Sequence, residues 1–191
     1  HALHGLFADS RYPSFSGTST PRDFVELPSQ VNEHWAWAPG RVVPAEWADR
    51  LRAAERFNIG FEQSEQLQAT LLDWAWHTTP LDELPVTADE VPAFESSALA
   101  RWGIADPLVP PRYRSQYFAH IWGSGYAASY YGYKWAEVMD ADAVSWFEEH
   151  GGATRPTATG SAGRCLRPAG QSTRWRPTAA SAVATRKWGH C

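Results

Sequence analysis

Cysteine is missing from the first 155 residues of this 191-residue chain; its two cysteines, Cys165 and Cys191, both lie near the end. That excludes a disulfide framework for the body and suits a reducing compartment, so a cytoplasmic location is expected. No apolar run reaches the roughly 20 residues that cross a bilayer, so no membrane partner is expected. Asp and Glu are absent from residues 156–191, which carry Arg164, Arg167, Arg174, Arg176, Arg186 and Lys187. All 21 acids therefore face the remaining 11 Lys and Arg, and residues 1–155 have a net charge of −10. So acidic a body argues against a nucleic-acid face. Methionine is absent from the first position, and no basic-then-apolar leader follows. An internal start is the expectation.

What is present is a globular composition. The chain is 43% hydrophobic and 14% aromatic, with 11 Trp, and is long enough for one domain with a sizeable core. Strand-like alternation is scarce, and the body reads as mainly α. Residues 1–9 read as the end of a helix, and Ser10 to Thr20 as a polar loop. Thr20-Pro21-Arg22-Asp23 is a helix start, with Thr20 as cap and Pro21 at the first helical position. That helix is expected to run through Trp35 with a kink at Pro28. Pro44 to Phe57 reads as a helix with the stripe Trp47, Leu51, Ala54 and Phe57. Phe61 to His77 reads as another, with Leu67, Leu71, Trp74 and Ala75 on its apolar side. A third starts at Thr87-Ala88-Asp89-Glu90 and runs to about Trp102. In the aromatic-dense segment from Tyr117 to Trp135, a glycine-bearing loop leads into a helix that continues to about His150.

His1 and Glu26 are the first chemical candidates. Two helices can bring an imidazole and a carboxylate to one zinc ion, and the intervening loop is long enough to reverse direction. On spacing alone, a terminal His and a solvated Glu are the more usual reading of these two residues. Tyr126, Tyr130, Tyr131 and Tyr133 likewise read, from the residues alone, as aromatic packing along a helix.

The motif string adds to this. His1-Ala2-Leu3-His4-Gly5-Leu6-Phe7, Ser16-Gly17-Thr18, and Asp23-Phe24-Val25-Glu26 followed by Pro28-Ser29-Gln30, Glu33 and Trp35 resemble the thimet oligopeptidase family of zinc metallopeptidases. The resemblance is nearest to the bacterial peptidyl-dipeptidases and oligopeptidase A, and runs from residue 1 to about 155. It implies a mainly α fold with a deep channel, of which this chain would form part of the catalytic half. It implies one Zn2+ as cofactor, short peptides as substrates and a monomer, with His1 and Glu26 as metal ligands. His120 and Tyr126 would bind the substrate backbone from a mobile glycine-rich loop, and Tyr133 would donate a hydrogen bond to the developing oxyanion.

The family motif reads His-Glu-Phe-Gly-His-Ala-Leu-His-Gly. The resemblance therefore places the other His ligand and the catalytic Glu in four residues before His1, and the 191-residue polypeptide alone is expected to be inactive. Three departures stand out. Ser124 replaces a usual glycine. The stretch at Trp37-Ala38-Pro39-Gly40-Arg41 is shorter than in relatives by about one helix. After Arg155 the resemblance stops, and residues 156–191 read as a frameshifted, disordered basic tail; a basic nucleic-acid or membrane arm is the other reading of that tail. The rival class for the whole chain is a non-catalytic helical fragment or gene remnant, serving at most as a binding module.

Overall fold

The computed structural model describes residues 1–7, 11–36 and 43–152. The expected shortening at Trp37 to Arg41 and the expected basic tail lie outside the described residues. Eight α-helices occur among the described residues. They are α1 (Ala2–Phe7), α2 (Arg22–Val25), α3 (Leu27–Ala36), α4 (Ala45–Glu55), α5 (Ile59–Thr78), α6 (Val91–Arg101), α7 (Ala119–Gly123) and α8 (Gly132–Glu149). Short 3-10 turns stand at Pro13–Phe15, Leu81–Glu83, Ala88–Glu90 and Ser115–Tyr117. An isolated bridge between Asp106 and Val109 is the only β pairing among the described residues. The mainly α expectation holds.

The chain divides into two compact units, one built from residues 1–42 with 132 onward, the other from 43–131. In the first, α8 packs against α2 and α3, and α1 against α3. Val25 and Ala136 are fully buried there. Trp35 meets Phe147 edge-on, with ring centres 5.7 Å apart. The expected single helix to Trp35 is two helices. Glu26 interrupts them, and Pro28 sits in the first turn of α3, where its missing N–H costs nothing. Thr20 does not cap: α2 begins after Pro21, and the Thr20 hydroxyl is buried without a hydrogen-bond partner.

Gly132 shows why α8 and α2 can approach. A Cβ built there would stand 2.9 Å from the Arg22 carbonyl oxygen and 3.2 Å from the Asp23 Cα. Only glycine fits that contact between backbones.

In the second unit, Leu72 and Ala75 of α5 pack with Ala98 and Leu99 of α6, and Leu71, Phe94 and Ile104 close around them. The start of α6 is held as its sequence suggests: the Glu90 carboxylate accepts from the Val86 and Thr87 amides, at 2.7 and 3.2 Å. Two expected stripes need correction. On α4, Trp47 is exposed and Ala48 is the buried residue; Phe57 lies beyond the end of α4 and is exposed as well. On α5, Leu67 and Trp74 are nearly half exposed, while Gln68, Ala69, Leu72, Asp73 and Ala75 are buried. Periodicity identifies an apolar face, but it does not supply a partner for it. On α5 the polar residues Gln68 and Asp73 take the inner face because loop backbone there needs acceptors and donors.

Candidate functional site

Glu26 sits at the joint between α2 and α3 because its carbonyl starts the second helix, accepting from the Ser29 and Gln30 amides at 3.1 Å each. The Ser29 hydroxyl donates to the same carbonyl at 2.7 Å and approaches the Glu26 carboxylate at 3.4 Å. The Glu26 side chain is thus held, and it is only 10% exposed. Its Oε1 stands 3.9 Å from His1 Nε2. Two donors on one tetrahedral zinc, each about 2.0–2.2 Å from the ion, lie about 3.3–3.5 Å apart. The pair therefore fits a shared zinc after a small side-chain rotation. It would supply two ligands; among the described residues no three His, Cys, Asp or Glu side chains form a metal-binding group.

His4, one turn beyond His1, is a feature that sequence reading passed over. It is buried to 1% exposure against the Phe24 ring, 5.8 Å away between centres. Neither of its ring nitrogens has a hydrogen-bond partner. Burial pushes its pKa below the ordinary imidazole value, against the opposing pull of the Glu26 charge.

Tyr133 lies in the first turn of α8 and is half-buried. Its carbonyl accepts a hydrogen bond from Gln30 Nε2 at 3.2 Å, which ties the start of α8 to α3 within the unit that holds His1 and Glu26.

His120 and Tyr126 belong to the second unit. They are brought together: the Tyr126 amide donates to the His120 carbonyl at 3.1 Å, and the rings stand edge-on at 6.0 Å. Tyr126 is buried to 6%, within a ring cluster that also contains Tyr113, Phe118 and Tyr130. Of the two tyrosines read as packing, Tyr130 is buried, whereas Tyr131 is 40% exposed.

Buried polar side chains anchor the segment that carries these rings. Glu95 on α6 is 1% exposed; it accepts from the Ser115 amide at 2.7 Å and from Arg114 at 2.8 Å. Two indoles also grip Ser115, Trp76 through its hydroxyl at 2.8 Å and Trp122 through its carbonyl at 2.7 Å. Gln68 donates to the Val109 carbonyl at 2.7 Å. The only signal of this role in the sequence is a single polar residue within an otherwise apolar helix turn, such as Asp73 within Leu71-Leu72-Asp73-Trp74-Ala75.

Comparison with known proteins decides what this arrangement is part of. The model of peptidase family M3 matches residues 1–172, running past residue 155. The chain belongs to peptidase family M3. It is 50% identical to the dipeptidyl carboxypeptidase of Salmonella typhimurium over 167 residues, covering 81% of this chain and 24% of that protein. The Escherichia coli dipeptidyl carboxypeptidase is 48% identical with the same coverage. Oligopeptidase A of Salmonella typhimurium is 33% identical over 82% of this chain and 24% of its own length. The M3 chain thus spans about a quarter of the length of the curated relatives it matches. No helix among its described residues is long and apolar enough to cross a membrane.

Proposed function

We propose that this M3 chain contributes to zinc-dependent hydrolysis of short peptides, with release of C-terminal dipeptides as the favoured form and general oligopeptidase activity as the second. The observation that carries the reading is the approach of His1 to Glu26 within a stretch half identical to a dipeptidyl carboxypeptidase. His1 and Glu26 would hold the metal. Zinc, when bound, supplies Lewis-acid polarisation of the scissile carbonyl. The Tyr133 phenol donates a hydrogen bond to the oxygen on which negative charge develops. His120 and Tyr126 hold the peptide backbone; since Tyr126 is buried against His120, peptide contact requires the short stretch around Gly123 and Gly125 to open. A cytoplasmic location is part of the proposal, supported by the absence of cysteine from residues 1–155; a monomeric state is part of it too and rests on the family resemblance alone.

The 191-residue polypeptide by itself is inactive on this reading. His1 and Glu26 are the two ligands that the reading assigns among the described residues, and it assigns the general-base role to none of them. Loss of a general base typically costs about 10²–10⁴-fold. The test is a hybrid: residues 1–155 replace the matching segment of the Escherichia coli dipeptidyl carboxypeptidase, and release of dipeptides from a blocked tetrapeptide is followed. Activity in the hybrid that falls at least about 100-fold with Glu26→Gln or Tyr133→Phe supports the proposal. A hybrid that folds, binds zinc and is indifferent to both changes overturns it.

A further inference from the structure

Asp73 is buried to 2% exposure in the middle of α5, yet it is not an isolated charge. Its Oδ1 accepts from the Ala128 amide at 2.9 Å, and its Oδ2 accepts from the Tyr130 amide at 2.8 Å. The two carboxylate oxygens thus hold alternate amides of one loop, 55 and 57 residues away in sequence. One turn along α5, His77 Nδ1 stands 3.0 Å from the same Oδ1 and 2.7 Å from the Asp73 carbonyl. Ala128 has a left-handed backbone, φ 52°, which a residue with a Cβ disfavours. Something must hold it there, and its amide is the group that Asp73 grips.

We propose that Asp73 is the positioning residue of the loop that carries Tyr126 and Tyr130. It fixes the backbone at Ala128 and Tyr130, and so sets where the rings of Tyr126 and Tyr130 stand against His120. What the loop does with those rings rests on the peptidase reading. That Asp73 positions it does not, and the experiment below needs no catalysis, so failure of one is distinguishable from failure of the other.

The geometry makes an asymmetric prediction. In Asp73→Asn, one oxygen becomes an amide nitrogen. The Oδ1 position faces two donors, the Ala128 amide and the N–H at His77 Nδ1; the Oδ2 position faces the Tyr130 amide. The Asn oxygen therefore settles toward Ala128 and His77, and its NH2 turns toward Tyr130. Two N–H groups then oppose each other at Tyr130, and only that amide loses its acceptor.

Residue-resolved amide hydrogen exchange on the whole 191-residue chain reads this directly. Asp73→Asn is expected to speed exchange at Tyr130 about tenfold or more while Ala128 changes by less than about threefold. Asp73→Ala speeds both. In the double variant Asp73→Asn/His77→Ala the donor that orients the Asn is gone, and the difference between the two amides narrows. Amides of α6 and α8 stay within about twofold in Asp73→Asn. A general role in stability would instead raise exchange evenly through residues 43–131. That even rise, or unchanged exchange at Tyr130, overturns the proposal.

Discussion

Replacing Gly132 by Ala sets two effects of opposite sign against each other, and the contact with α2 decides between them. Gly132 begins α8, and Ala in a helix is favoured over Gly by at most about 1 kcal/mol, less in the first turn. Against that, the added Cβ meets backbone: the Arg22 carbonyl oxygen at 2.9 Å, its carbonyl carbon at 3.2 Å and the Asp23 Cα at 3.2 Å. No side-chain rotation relieves contacts with main-chain atoms. Either α8 or α2 must move, at about 1–3 kcal/mol for overpacking of this kind. The expected balance is a net loss of about 1–2 kcal/mol. Moving α8 away from α2 also stretches the Gln30 hydrogen bond to the Tyr133 carbonyl, now 3.2 Å.

Gly60 in the first turn of α5 is the control, because a Cβ there meets nothing within 4 Å. Gly60→Ala is expected to leave stability unchanged or raise it by up to about 1 kcal/mol. Thermal unfolding of the whole chain, followed by far-ultraviolet circular dichroism and tryptophan fluorescence, compares the two. For a domain near this size, the Gly132→Ala loss corresponds to a midpoint lower by several degrees. An unchanged or higher midpoint for Gly132→Ala, with Gly60→Ala behaving as stated, would refute the steric argument.

Three further outcomes follow from other contacts. Glu95→Ala leaves the buried Ser115 amide without an acceptor, while the half-exposed Arg114 can turn to water; chemical denaturation should show a loss of about 1–3 kcal/mol. His4 has a pKa depressed by burial, so the unfolded chain binds its proton more readily than the folded one. Its contribution is therefore complete above the ordinary value of 6.5 and is lost as pH falls from there through the depressed folded value. His4→Leu should flatten the stability profile below pH 6.5 in urea titrations, and a profile that stays equally steep would remove His4 as its source. Zinc binding by the chain, measured by isothermal titration at neutral pH, should weaken about tenfold or more in Glu26→Gln and in His1→Ala; indifference to both would separate the pair from the metal.

The sequence by itself determined the helices and the family. Proline and capping signals act within a few residues, which is why Pro44 marks a helix start and Glu90 the N-terminus of α6 at the expected places, whereas Pro28, expected as a kink within one helix, stands in the first turn of a second. The string from His1 to Trp35 likewise carried the resemblance to the zinc peptidases, because a metal-site motif is local along the chain. Even there Thr20 misled: its hydroxyl turned inward and α2 began without it.

Tertiary structure alone decided which faces are buried and what the buried polar groups do. Trp47 and Phe57 have helical spacing but remain exposed, since spacing says nothing about what lies opposite. Asp73 is one acid in an otherwise apolar helix turn, and only packing brings its carboxylate to amides more than fifty residues away. Glycine at 132 looked like loop freedom and proved to be room for a backbone contact with Arg22. Each of these depends on a partner distant along the chain, and such a partner is chosen by packing rather than by local propensity.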